Sequence, residues 1–359
     1  MTYIGAELII SPLGKTTEEN CTAMIANRSG ISLIADAGFD HKSLFLSKIN
    51  DPDGQGKFTR LIIQAIETIK NEIDDAVLLS ARTIFIISST KGDPEQIKDP
   101  FNAAVSAVQQ KFSLANRPIV ISNACISGIV AINTAHHLIR ARLYDHAVVI
   151  GCDVLSDFVV YGFQSLFAMG DAPCRPFDAA RNGISIGEGC GAVVVSASEH
   201  IFRNPSLQLL AGTTANDANH ISGPSRTGEG LFRSVKKTME KNGITADELD
   251  FISAHGTATV FNDEMESIAF DRLGMSNIPL NSLKGYFGHT LGAAGIIETA
   301  ASMQMIRNGI LFKSLGFQEQ GTSKALNIVS GNTVANPETI LKTASGFGGG
   351  NASLIIRSI

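Results

Sequence analysis

One cysteine and two histidines each lie in a short turn rich in glycine and small residues. Cys125 lies in Ser-Asn-Ala-Cys-Ile-Ser-Gly, His255 in Ala-His-Gly-Thr-Ala-Thr, and His289 in Gly-His-Thr-Leu-Gly-Ala-Ala-Gly. A further turn over residues 345–351 contains four glycines. A thiol can form a thioester, and preorganised N–H groups can stabilise an enolate. These residue types therefore predict acyl-transfer chemistry.

The position of Cys125 indicates a nucleophile rather than a core residue. It follows an apolar run, Ile119–Ile121, and precedes a predicted helix that opens at Ser127. The N-terminus of a helix carries partial positive charge, which favours a thiolate. The other cysteines, for which we predict burial in the core, are Cys21, Cys152, Cys174 and Cys190.

The two histidines stand next to predicted strand and helix ends. His255 follows the predicted strand Phe251–Ser253, and His289 precedes a helix that we predict over Gly292–Asn308. α/β proteins place their sites at strand ends, so we interpret both as catalytic. The histidines interpreted as structural are His41, His136, His137, His146 and His200.

The elements that position these turns alternate along the chain. Short β-branched runs predict buried strands, and longer stretches with apolar residues at helical spacing predict helices between them. This alternation predicts a mostly parallel sheet with helices on its faces. The first-half strands are Ile84–Ile87, Ile119–Ile121, Ala147–Ile150 and Ala192–Val195, and the helices are Phe58–Ile73, Ala103–Phe112 and Gly128–Ala141.

The second half of the chain repeats this plan, which indicates an internal duplication. We predict an N-terminal half over residues 1–200 with the cysteine and a C-terminal half over 201–359 with both histidines, joined near 198–205 in one compact unit. The predicted elements are a strand at Leu207–Thr214, helices at Gly228–Asn242 and Asp263–Leu273, and a glycine turn leading into a closing strand within Ala344–Arg357.

Composition narrows the functional class. A net charge of −5 without a basic run argues against nucleic-acid binding. No apolar run approaches the length of a membrane span, so we expect no membrane insertion. The five cysteines are an odd number, widely spaced and without a CxxC pair, which is typical of a reduced, cytoplasmic protein.

Taken together, the motifs resemble those of the β-ketoacyl synthases, the condensing enzymes of fatty-acid and polyketide synthesis. Besides the three turns above, Arg175–Gly183 and Gly187–Gly189 match the family's loop-and-strand signature, and Gly346–Gly349 matches its terminal loop. Because position 289 is a histidine, the chain resembles the elongating synthases, whose catalytic residues are one cysteine and two histidines. The resemblance implies a thiolase-like fold of duplicated halves in a five-layer α/β/α/β/α sandwich, present as a homodimer or a heterodimer with a related subunit.

The resemblance also implies a mechanism. Cys125 would accept an acyl group, with the N–H groups of Cys125 and Phe347 as oxyanion hole. Malonyl-acyl carrier protein would then lose CO2, and His255 and His289 would stabilise the enolate that attacks the acyl group. The product would be a 3-oxoacyl-acyl carrier protein. No metal or other cofactor is expected, because the substrates are carried on the phosphopantetheine of the carrier protein.

Further roles come from the same resemblance. Lys284 and Glu298 match support residues expected around His289. The pantetheine and substrate contacts are Thr257, Thr259, Phe163, Gly348 and Gly349, with Phe347 also acting as a gate. Lys57 and Arg60 are candidates for docking the acidic carrier protein, although an ordinary solvated helix face explains them equally well.

The chain departs from the family pattern at several positions, which include Ile126, Asn182, Val260, Asn262 and Gly350. These differences leave the acyl chain, and the choice between primary and specialised lipid synthesis, open. Two alternatives to condensation remain: an accessory subunit similar to a chain-length factor, and an acyltransferase of the same fold that does not condense. The retained Cys125, His255 and His289 argue against the accessory role.

Overall fold

The computed structural model describes residues 1–51, 53–217 and 223–359, apart from the side chain of Asp40. The α-helices are α1 Thr17–Ile25, α2 Lys57–Ile69, α3 Asp75–Leu79, α4 Asn102–Lys111, α5 Ser127–Arg140, α6 Asp157–Ser165, α7 Glu229–Asn242, α8 Val260–Arg272, α9 Lys284–Phe287 and α10 Ala294–Asn308. The strands are β1 Tyr3–Ile10, β2 Ile31–Ile34, β3 Leu44–Ser47, β4 Thr83–Ser88, β5 Ile119–Ile121, β6 His146–Asp153, β7 Gly189–Ser196, β8 Leu207–Leu209, β9 Thr213–Asn216, β10 Phe251–Ser253, β11 Pro279–Asn281, β12 Ile310–Leu311, β13 Asn327–Ile328, β14 Thr333–Val334, β15 Thr339–Gly346 and β16 Gly350–Arg357.

The strand order demonstrates the internal duplication directly. One half of the large sheet runs β5-β4-β6-β7-β1, and the other runs β11-β10-β15-β16-β8. In each half the first three strands are parallel and the last two pairings are antiparallel. The sheet is therefore mixed, and the expectation of a mostly parallel sheet is wrong for the strands nearest the centre. The halves meet where β8 pairs with both β1 and β16.

The helices complete a five-layer arrangement, as expected. α5 and α10 lie between the half-sheets, while α2 packs on the outer face of the first half and α7 on that of the second. Sequence explains this distribution. α10 is buried over most of its surface and has no single apolar face, whereas α2 has one apolar face that includes Phe58, Ile62 and Ile66.

Two predicted elements differ from the structure. The single strand expected over Leu207–Thr214 is interrupted, because β8 ends at Leu209 and β9 begins at Thr213. A Cβ atom at Gly212 would lie within 2.0 Å of Asn133 Oδ1, so the chain passes too close to α5 for a regular strand side chain. The glycine loop 346–349 is the turn of a hairpin between two eight-residue strands, β15 and β16.

Within the described ranges, no helix combines the length and apolar character that crossing a membrane requires. The segment between β7 and β8, residues 197–206, contains the predicted join of the two halves.

Candidate active site

The nucleophile candidate, Cys125, lies at a sharp turn between β5 and α5. Ala124 adopts a left-handed conformation with φ of 45°, and Ser127 Oγ secures the turn by accepting from Asn123 N at 2.7 Å and donating to Ala124 O at 2.6 Å. A Cβ atom at Gly128 would meet the backbone of α10 at 2.9 Å, so glycine permits the central helices to touch. Cys125 therefore lies at the N-terminus of a buried helix, as predicted.

The resting thiol of Cys125 is protonated at neutral pH. Burial raises its pKa to about 12, although the Lys284 charge and the N–H groups of Phe347 and Cys125 act in the opposite direction. Desolvation is therefore the larger effect on this thiol, and it opposes the helix terminus that we expect to favour the thiolate. The two N–H groups expected to form the oxyanion hole do converge on the sulfur.

His255 is positioned by a loop that buried carboxylates hold in place. Glu266 on α8 accepts hydrogen bonds from His255 N at 2.8 Å and Gly256 N at 2.5 Å. Asp263, one helical turn earlier, accepts from Thr257 N at 2.9 Å and from Phe177 N at 2.7 Å. Burial, together with the Asp263 charge, raises the pKa of Glu266 to about 7.

His289 lies directly across the cleft from His255. The two rings meet edge to face with centroids 5.1 Å apart. His289 is buried, and neither of its ring nitrogens has a hydrogen-bond partner among the described residues. Its backbone is fixed instead, since His289 N donates to Ser185 O at 2.8 Å. An unpaired, buried imidazole facing a cavity is available to a substrate oxygen.

Lys284 hydrogen-bonds His255, and Glu298 pairs with Lys284. The charge of Lys284 also lowers the pKa of His289, around which the resemblance places both residues. Lys284 Nζ lies 2.6 Å from His255 O, 3.3 Å from His255 Nδ1 and 2.7 Å from Glu298 Oε1. An ammonium has only donors, so Nδ1 must be the acceptor and the ring proton resides on Nε2. Lys284 therefore sets the tautomer of His255.

A second lysine, which sequence reasoning missed, completes this network. Lys342 on β15 has a fully buried side chain, and its Nζ lies 2.5 Å from Glu298 Oε2. A lysine inside an otherwise apolar and small-residue strand was the available signal.

Both imidazoles are neutral. Burial lowers the pKa of His255 well below its usual value, and the charge of Lys284, the neighbouring His289 and the charge of Lys342 lower it further. Burial, Lys284 and Lys342 lower the pKa of His289 in the same way. Burial would raise the pKa of Glu298, but the two lysines outweigh that effect and hold it below the usual range.

Cys125, His255 and His289 share one cavity of about 430 Å³. Its lining includes three predicted catalytic residues, the predicted gate and the predicted substrate and pantetheine contacts. These are Cys125, His255, His289, Phe347, Thr257, Thr259, Phe163, Gly348 and Gly349. The Thr257 and Thr259 hydroxyls lie 2.8 Å apart in a mutual hydrogen bond. Phe347 stacks on Phe163 at 5.4 Å between ring centroids. The pantetheine and gating roles stay predictions.

The proposed docking residues lie away from this lining. Lys57 pairs with the buried Glu188 and donates to Ile49 O at 2.8 Å, so its charge is satisfied inside the protein. Its predicted role in carrier docking is therefore not available in this conformation. Arg60 pairs with Asp51 and has a partly exposed side chain. No group of three or more His, Cys, Asp or Glu in the described ranges is arranged to hold a metal ion.

Comparison with known proteins agrees with this geometry. Residues 87–200 match the family model "Beta-ketoacyl synthase, N-terminal domain", and residues 208–318 match the corresponding C-terminal domain. The chain is 33% identical to 3-oxoacyl-[acyl-carrier-protein] synthase 2 of Rhizobium meliloti, over 71% of this chain and 64% of that protein. It is 26% identical to 3-oxoacyl-[acyl-carrier-protein] synthase 2 of Coxiella burnetii, over 98% of this chain and 97% of that protein.

A solved structure has the same fold. It contains the ketosynthase ApeO in complex with its chain length factor ApeC from Xenorhabdus doucetiae, and matches with a TM-score of 0.89 and 25% identity, covering 100% of this chain and 98% of the matched one. Two family models, full-length sequence relatives and a common fold lead to one conclusion. This chain belongs to the β-ketoacyl synthase family of condensing enzymes.

Proposed function

We propose that the chain condenses an acyl group held on Cys125 with malonyl-acyl carrier protein, and that CO2 leaves during the reaction. The observation that supports this proposal most strongly is the common cavity of Cys125, His255 and His289. The N–H groups of Cys125 and Phe347 stabilise the oxyanion as the acyl thioester forms and breaks. The product is a 3-oxoacyl-acyl carrier protein.

The two imidazoles act on the malonyl group. Breakage of its carbon–carboxylate bond leaves an electron pair that becomes the thioester enolate, with negative charge on oxygen. The Nε2–H of His255, held there by Lys284, and the unpartnered ring of His289 donate to this oxygen. The enolate carbon then attacks the carbonyl of the acyl-Cys125 thioester and releases the thiolate.

The partners belong to the same proposal. We expect an acyl carrier protein to deliver both substrates, and a second synthase-type subunit, either another copy or a related chain, to form the dimer. β5 supports pairing because it ends the large sheet and has no further strand beside it among the described residues. A purely accessory role is disfavoured, because such a role needs no cysteine in the same cavity as two histidines.

The test is intact-mass analysis after the protein is offered a panel of acyl-carrier thioesters. The expected result is one acyl adduct that forms on the native chain and not on Cys125→Ala. The same panel would identify the preferred chain length. An adduct without 3-oxoacyl product on addition of malonyl-carrier protein would instead establish the acyltransferase alternative.

A further inference from the structure

Lys342 is a buried charged group of the catalytic network that neither the motifs nor the proposed mechanism employs. It lies on β15, where it pairs in parallel register with Ser253 of β10. Ser253 precedes His255 by two residues. Its side chain is fully buried, and Nζ donates to Ser253 O at 3.2 Å and Ala254 O at 3.3 Å. A buried lysine is rare unless it is paired.

Glu298 provides that pairing, but it is shared. One carboxylate oxygen lies 2.7 Å from Lys284 Nζ, and the other lies 2.5 Å from Lys342 Nζ. Two cations facing one carboxylate leave a single positive charge on this buried cluster of Lys284, Glu298 and Lys342. The carboxyl group of Glu266 also acts on both lysines. Without Lys342, Glu298 would balance Lys284 completely, and the network would be neutral.

We propose that Lys342 is a positioning residue that, by occupying the second oxygen of Glu298, leaves the charge of Lys284 uncompensated toward His255. This excess charge adds to the effect of burial in keeping both imidazoles neutral, and it stabilises the enolate. The inference rests on the proposed function and deepens it. The pKa values of both histidines are lowered, first by burial, with Lys284 and Lys342 contributing to each.

The neutral form of His255 matters for geometry. Protonation of Nδ1 would place an N–H against the Lys284 ammonium 3.3 Å away, which would break the contact that orients the ring. The titratable and charged groups packed around the two rings come from the turn before α5, α8, α9, α10, β15 and the adjoining loop, and are Cys125, Asp263, Glu266, Lys284, Glu298, Lys342 and Arg181.

The test compares CO2 release from malonyl-carrier protein across pH for the native chain, Lys342→Met and Lys342→Met/Glu298→Gln. The single variant removes one positive charge, so the pKa values of the histidines rise. As the pH is lowered, activity is therefore lost at a higher pH than in the native chain. We expect the loss of rate between about pH 8 and pH 6 to be roughly tenfold greater than in the native chain, which is the effect of one unit charge in a partly screened interior.

The double variant restores the native charge balance, because Lys284 alone then remains. Its pH profile should return to that of the native chain. It also leaves no buried carboxylate without a partner, so it remains informative where Lys342→Met alone fails to fold. A native-like profile in the single variant, or an unrestored profile in the double variant, would overturn the proposal.

A matched control separates charge from stability. Arg307→Met removes a largely buried cation from its pair with Glu7, nine residues further along α10 than Glu298. It should lower thermal stability and leave the pH profile unchanged.

Histidine NMR titration provides a readout without substrate. If the native chain releases no CO2, the proposed function fails. A shift of the His255 titration in Lys342→Met would still support the role of Lys342.

Discussion

At the scale of single residues, the site is governed by desolvation. The Cys125 thiol and both imidazoles are buried, and burial is the largest cause of each pKa shift. It drives the thiol and the imidazoles in the same direction, toward uncharged forms. The thiol and the two imidazoles of the resting site are therefore uncharged, so these three groups develop charge only when substrate is present.

This state predicts how Cys125 reacts with an alkylating reagent. The pKa is raised to about 12, so the thiolate fraction is small at neutral pH and increases as the pH rises. The rate of iodoacetamide labelling, followed by intact mass with Cys125→Ala as reference, should increase steadily from pH 6 to about pH 9. A constant rate over that range would mean that a thiolate already exists.

His289 makes a second prediction at this scale. Both of its ring nitrogens lack partners within the described part of the chain, so His289→Ala should leave folding intact and remove one donor to the enolate. Loss of one preorganised donor lowers the rate by roughly 10²–10³-fold. CO2 release from malonyl-carrier protein measures this loss, and the partly surface-exposed His200→Ala should retain the native rate. Equal rates for the two variants would remove His289 from the mechanism.

At the scale of elements, the hairpin of β15 and β16 carries the oxyanion donor. Gly348 and Gly349 at its turn have φ of 83° and 78°, a region that other residues avoid. β15 also contains Lys342, and Phe347 directly follows its last residue. This strand therefore places both the Phe347 N–H and a buried cation at the site. The same hairpin therefore links oxyanion binding to the charge around His255.

Gly348→Ala tests the conformation of this turn. A Cβ atom there meets nothing within 4 Å, so the substitution introduces backbone strain without a clash. The strain is about 1 kcal/mol, and it should displace the Phe347 N–H and slow acylation of Cys125 several-fold. Acylation kinetics by intact mass provide the measurement. Gly331→Ala is the control, because a Cβ atom at Gly331 also meets nothing within 4 Å and its φ is not positive. Equal effects of the two substitutions would contradict a role for the left-handed turn in acylation.

At the scale of the whole molecule, the five layers bury the central helices and leave β5 at one end of the sheet. Ile119–Ile121 are only half-buried, and the outer edge of β5 has no strand beside it in the described residues. An open edge of β-branched residues is a place where a second subunit can extend the sheet.

Hydrogen exchange tests pairing through β5. In the assembled protein, amides of β5 that face outward should exchange at least tenfold more slowly than in diluted, monomeric protein. The exposed strand β14, Thr333–Val334, should show no such difference. Native mass spectrometry identifies the assembled state in parallel. Identical exchange of β5 in monomer and assembly would place the interface elsewhere.

Sequence by itself selected Cys125, His255 and His289, which the structure brings to one cavity, because each lies in a turn of glycines and small residues that can be recognised without a fold. The layers were expected from the family resemblance that the motifs carry, while apolar periodicity predicted the one-sided helix α2. Tertiary structure alone decided which partner each charge has. Lys284 faces His255, Lys57 faces Glu188, and Lys342 joins the site from a distant strand. Such pairings depend on distances between segments far apart in the chain, and desolvation depends on the packing of all of them together.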